Sequence, residues 1–187
     1  MTTATIRYHP LWVLAHWLTA VLMLVSLVGG IAALRHIPNT DPRKASMIAV
    51  HAIGGLVIGA LLLARLVMRA ATRKPQPADT ASVWANRLRK TVHGLLYVVG
   101  LSMVFTGLGT LRSANALAAV FGAGGALPRD FWDYPVRQGH MVYSRVLIAL
   151  IAVHLAGAAY HQFVRRDALF GRMWFGRRIG TIRDAGV

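Results

Sequence analysis

The sequence predicts an all-α membrane protein, a bundle of four transmembrane helices, and three observations carry that prediction. Four long apolar segments, 11–34, 45–64, 91–111 and 146–163, run through the chain of 187 residues. The composition is 56% hydrophobic and only 14% charged, where a soluble domain carries about a quarter charged residues. Basic residues also gather at alternate ends of the apolar segments, as the positive-inside rule requires of a multi-pass chain.

Each element follows in order. Pro10 suits a first helical turn, where its missing N–H is no loss, and helix one is expected over about 9–34. Its apolar run is longer than the core of a signal peptide, only Arg7 precedes it as a basic flank, and further spans follow; it is read as a retained helix. Pro38-Asn39-Thr40-Asp41-Pro42 is dense in turn formers and makes a short outer loop. Helix two is expected over about 44–69, with Arg65 and Arg69 placed to snorkel towards the inner headgroups. An inner linker around Pro75 to Asp79 leads to helix three, about 83–111. The longest loop then holds Gly122 to Gly125 and the aromatics Phe131, Trp132 and Tyr134, which read as an interfacial belt. Helix four is expected over about 137–164 and is followed by a basic cytoplasmic tail, 165–187. The whole chain, 1–187, reads as a single membrane domain.

The formal net charge of +15 is explained by orientation. Six basic residues lie between spans two and three and six follow span four, making twelve, or thirteen with Arg7. Six lie in the two outer loops. This distribution sets both termini in the cytoplasm, favours contact with anionic membrane lipid and gives no reason to expect nucleic-acid binding. The chain has no cysteine, which excludes disulfides, thiolate-held clusters and covalent haem attachment through a CxxCH motif.

Histidines carry the chemistry. An ionisable residue inside a span is a functional candidate, because its polar nitrogens need partners in hydrocarbon. His9 and His36 fall at the polar edges and read as solvated. His140 and His154 lie fourteen residues apart on helix four. They share a face to within roughly 40° and are separated by about 21 Å along the axis, most of the way across a hydrocarbon core of about 30 Å. His16 lies at the depth of His154 near the inside, and His51 at the depth of His140 near the outside. Two imidazoles at each of two levels suit two stacked haems, each iron held by two histidines and built for electron transfer. Zinc or copper fits poorly, since the levels stand so far apart and no carboxylate or thiolate accompanies them. His93 and His161 stay open. His93 enters helix three near the inner level and can replace an inner ligand; both can hydrogen-bond a haem propionate or a quinone carbonyl, or be satisfied by a neighbouring helix. Gly54, Gly55, Gly59 and Gly94 let helices approach closely, and they equally leave room for a flat macrocycle.

Taken together, the run from Arg7-Tyr8-His9-Pro10 through His16-Trp17, Val50-His51-Ala-Ile-Gly54, His93-Gly-Leu-Leu-Tyr97, His140 and His154 resembles the bacterial cytochrome b561 family. The stretch His161-Gln-Phe-Val-Arg-Arg-Asp167 to Arg172-Met173 resembles that family's closing segment. The resemblance covers nearly the whole chain. It implies a four-transmembrane-helix bundle enclosing two b-type haems in the bacterial inner membrane, with His16 and His154 as the axial ligands of one iron and His51 and His140 of the other. Stand-alone members of this size are similar to superoxide oxidases, which pass an electron from periplasmic superoxide through both haems to ubiquinone. On that resemblance His93 and His161 become candidate quinone contacts. The alternative from another functional class is a cytochrome b subunit that docks a periplasmic hydrogenase or dehydrogenase to the quinone pool. Such subunits usually carry more loop or tail than this compact chain.

Overall fold

The computed structural model describes residues 8–71 and 83–166, together with 171, 173 and 174. The expected inner linker at 75–79 and most of the basic tail lie outside the described residues. Among the described residues the chain is helical or turned, with no strand.

Helix α1 spans Pro10–Val28 and widens into a π-helical turn, Gly29–Leu34. His9 caps it, its Nδ1 accepting from the Leu11 N–H at 3.2 Å, so this residue orders a helix start. Helices α2 (Lys44–Ala71) and α3 (Val83–Ser113) follow. A short α4 (Leu117–Val120) and a single 3-10 turn (Phe131–Asp133) build the outer connection. Helix α5 (Pro135–Ala159) starts at a proline in its first turn and ends in a second π-helical turn, Tyr160–Val164. Four helices, Pro10–Leu34, Lys44–Ala71, Val83–Ser113 and Pro135–Val164, are long and apolar enough to cross a membrane. At 1.5 Å per residue even the shortest, of 25 residues, reaches about 37 Å, beyond a core of about 30 Å.

Neighbours in the bundle are α1 with α2, α2 with α3, and most extensively α3 with α5, while α1 and α5 stand apart. Two glycines bring the middle helices together. A Cβ on Gly59 would lie 3.3 Å from Val104 Cγ2, and one on Gly100 would lie 2.9 Å from Leu62 Cδ1. The central core is Met23, Leu27, Ile58, Leu62, Val99 and Leu147. Large apolar side chains on the outside, among them Val25, Val50, Phe105, Val153 and Phe163, are exposed. In water that surface would drive aggregation; against lipid chains it is the expected face.

The outer end carries a small cap of its own. Leu111, Ala114, Ala116, Val120 and Phe131 form a second buried cluster. Helix α3 closes onto it with Asn115 in the left-handed region, φ 50°, and the Ala116 N–H bonding Leu111 O at 2.9 Å, a left-handed helix cap. Of the aromatics read as an interfacial belt, Phe131 turns inward into this cluster, while Trp132 stays exposed with the Arg137 guanidinium 4.5 Å over its ring. Asn39 ties the two outer loops together by donating to Pro128 O at 2.9 Å. In the first loop Arg43 bridges Asp41 at 2.9 Å and holds its carboxyl down to about 2.

Lys44 is the polar anchor of the α1–α2 turn. Only 6% exposed, it sends its ammonium to the carbonyls of Leu34 and, at 2.6 Å, Ile37. A helix end leaves such carbonyls without intrahelical partners, so one buried cation satisfies the exit of α1 from the first turn of α2. Replacing it by methionine (Lys44→Met) should strand both carbonyls and destabilise the fold by about 2 kcal/mol. Thermal unfolding in detergent reads this directly; an unchanged midpoint would show that water serves the carbonyls equally well.

Candidate functional site

The four spanning helices each contribute one residue to an inner layer and one to an outer layer, with the apolar core between. The inner layer holds His16 of α1, Arg65 of α2, His93 of α3 and His154 of α5. The outer layer holds Gly30, His51, Gly107 and His140. Helical rise sets this register: on α5 the two histidines stand about 21 Å apart, and Leu147 of the core lies midway between them.

Within each layer two imidazoles face one another. The ring centres of His16 and His154 are 6.3 Å apart, and so are those of His51 and His140. Their planes are inclined at 61° and 77°. Two imidazoles on opposite faces of one metal ion need centres about 6 Å apart, given a metal–nitrogen bond of about 2 Å and about 1.1 Å from nitrogen to ring centre. Both pairs meet that separation. Among the described residues no three of His, Cys, Asp or Glu gather as a metal-binding group. Nitrogens offered in twos suit an iron whose equatorial positions are filled by a macrocycle. Along the open α1–α5 seam lies an apolar cavity of about 270 Å³, lined by Leu24, Leu27, Val28, Ile31, Ala32, Ile148 and Ile151. None of the four paired histidines lines it.

Hydrogen bonds on the ring nitrogens distinguish the layers. Thr106 Oγ1 donates to Ser102 O at 2.7 Å and lies 3.1 Å from His140 Nδ1. Having spent its one proton, the hydroxyl accepts from Nδ1–H, which leaves the Nε2 lone pair of His140 free to bind metal. His93 Nδ1 likewise donates to Arg89 O at 2.7 Å, freeing its Nε2. His16 is the opposite case. Arg65 Nη2 lies 3.1 Å from His16 Nδ1, and since a guanidinium only donates, Nδ1 accepts and the proton sits on Nε2.

Glycines seat the outer pair. A Cβ on Gly30 would meet His51 Cε1 at 3.4 Å, and one on Gly107 would meet His140 Cε1 at 3.3 Å. Of the glycines the sequence singled out, Gly59 brings α2 against α3, and a Cβ on Gly54 would lie 3.5 Å from Ser26 Oγ. Gly55 and Gly94 have nothing within 4 Å of an added Cβ, so neither supports close helix approach.

His93 joins the inner layer, its ring 5.1 Å from that of His154 at 90°. That is closer than two axial ligands of one metal stand. His161 lies in the terminal π-helical turn, 5.9 Å from the Tyr160 ring. His36 is exposed in the outer loop. Arg65, read from sequence as snorkelling to the headgroups, instead turns into the inner layer. Thr106, Gly30 and Gly107 went unread as well. A threonine or glycine in an apolar run carries no periodic signal, and only the histidine opposite gives each a role. Trp17, beside His16, donates from Nε1 to Met173 O at 2.8 Å and packs edge-on against Trp174.

Comparison with known proteins agrees with this architecture. Residues 7–176 match the family described as prokaryotic cytochrome b561. Cytochrome b561 homolog 1 of Escherichia coli (strain K12) is 20% identical over 171 residues, covering 89% of this chain and 96% of its own. A cytochrome b562 of Cereibacter sphaeroides is 24% identical over 170 residues, covering 89% and 94%. Apolar spans, paired imidazoles and a match over most of the length lead to one conclusion: the chain belongs to the prokaryotic cytochrome b561 family, integral membrane b-type cytochromes that carry electrons.

Proposed function

We propose that the protein is a di-haem superoxide:ubiquinone oxidoreductase of the bacterial inner membrane. His51 and His140 bind the outer haem, His16 and His154 the inner haem, and both termini lie in the cytoplasm. The observation that carries this reading is the repeated 6.3 Å separation of two imidazole pairs at two depths.

The chemistry is balanced by two one-electron oxidations at the outside. Each superoxide gives one electron and leaves as dioxygen, and two electrons with two protons reduce one ubiquinone to the quinol. The outer step needs an approach for a small anion and no acid–base group. In support, Arg35, Arg112 and Arg129 are exposed at the outer end. Of the aspartates there, Asp41 is engaged by Arg43 and Asp130 caps the Trp132 N–H at 2.9 Å. A surplus of positive charge over a site raises the encounter rate of an anion. At the inner end protons must be delivered, and a positioned histidine is the common donor. His93, with its Nδ1 committed to Arg89 O and its Nε2 open, is suited to a quinone oxygen, and His161 near the helix end is a second contact.

Three measurements test the reading. His51→Ala or His140→Ala should remove one haem and spare the other, read by haem quantitation and the reduced-minus-oxidised spectrum; retention of both haems would refute the outer pairing. A superoxide pulse should reduce the purified protein's haem far faster than it reduces free haem. Equal rates, together with co-purification of a large periplasmic subunit, would favour the docking cytochrome instead. His93→Ala should leave both haems in place and slow quinone reduction by about 10²-fold, whereas loss of the inner haem would make His93 a ligand.

A further inference from the structure

Three buried side-chain atoms have no hydrogen-bond partner among the described residues: Arg65 Nε, Arg89 Nε and Gln162 Oε1. All three belong to the inner half of the bundle, on α2, α3 and the end of α5. The described aspartates, Asp41, Asp130 and Asp133, all lie at the outer end. The ion pair described there, Arg43 with Asp41, is likewise an outer one. Arg65 is therefore a half-buried guanidinium at the depth of His16 with no carboxylate beside it among the described residues. It leans over the Tyr97 ring at 5.7 Å, interacts with that residue's hydroxyl and holds the His16 nitrogen, all without a counter-charge among the described residues. A cation so placed in a low-dielectric interior requires an anion.

The Arg65–His16 contact adds a second, independent argument. While Arg65 donates to Nδ1, the proton of His16 sits on Nε2, and that nitrogen has no lone pair for iron. For His16 to ligate through Nε2 the proton must move to Nδ1, and a donor N–H would then face a donor guanidinium. Ligation through Nε2 and an Arg65 bond to Nδ1 are mutually exclusive, so a ligating His16 leaves Arg65 in need of another acceptor.

We propose that Arg65, assisted by Arg89, forms a carboxylate seat for the macrocycle held at the inner histidine pair. The inference rests on the di-haem reading above. Haem b brings two propionate carboxylates, and guanidinium forks match carboxylates in geometry and charge. Arg65 is thus a positioning residue. Its charge also stabilises the reduced state, which bears one more electron, and draws the electron to the inner level.

The test is an optical potentiometric titration of the purified full chain, with the two haems assigned by their loss in His16→Ala and His51→Ala. In Arg65→Gln the inner haem should be harder to reduce. Its reduced-to-oxidised ratio at fixed potential should fall about tenfold, a shift of about 59 mV, while the outer haem is unmoved and Arg65→Lys stays near the parent. Loading the parent with protohaem dimethyl ester, which has no free carboxylate, should disturb the inner haem's potential and occupancy, with little further effect in Arg65→Gln. An Arg65→Gln protein with both haems and an unmoved inner potential would overturn the proposal. An ester-loaded parent that titrates like the haem-loaded one would do the same, and this arm decides alone if Arg65→Gln does not assemble. A shift that instead follows exchange of anionic for zwitterionic lipid would assign the guanidiniums to lipid phosphate and also overturn it. A parent chain that holds one haem refutes the di-haem reading separately, and the ester comparison on that haem still decides the seat.

Discussion

Imidazoles buried in a membrane bundle need partners for their nitrogens, and most other features of this molecule are arranged around that need. Four histidines face each other in two pairs, inner and outer. Every one of them sits on a helix long and apolar enough to cross a membrane. Hydrocarbon offers no hydrogen bonds, so each ring must find its partners on a neighbouring helix or on something held between the helices. The register follows: the core residues fill the space between the layers, and α1 and α5 stand apart along an apolar seam.

The two layers are prepared differently. On the outside, Thr106 accepts the Nδ1 proton of His140, and two glycines let the outer rings lie close against α1 and α3. That arrangement fixes one tautomer and one orientation, as supporting hydrogen bonds do for metal-ligating histidines generally. On the inside, a guanidinium holds His16 in the other tautomer, and one of its own nitrogens has no partner among the described residues. The outer ring is held by neutral groups, the inner one by a charged guanidinium.

Polar anchoring at the outer end follows the same logic of satisfying backbone groups where lipid gives way to loop. Lys44 closes the exit of α1, Asn39 joins the outer loops, and Asn115 ends α3 in a left-handed cap over Phe131. The long connection from α3 to α5, read in sequence as a glycine cluster and an interfacial aromatic belt, packs over the end of the bundle through its own buried cluster. Its folding depends on Phe131 meeting Leu111 and Val120, contacts between residues far apart in the chain.

The spans, the paired depths of His16 with His154 and of His51 with His140, and the helical character of the whole chain were legible from the sequence. Apolar length and the 1.5 Å rise per residue act locally and leave little choice. Which rings turn to face each other, which glycines they rest on, and the fate of Arg65 were decided by tertiary structure. A snorkelling arginine and an inward one have the same sequence context at a span's end; the difference is the neighbour across the bundle. Period and length tell how deep a residue lies, whereas its partner depends on helix rotation and packing, which no single segment encodes.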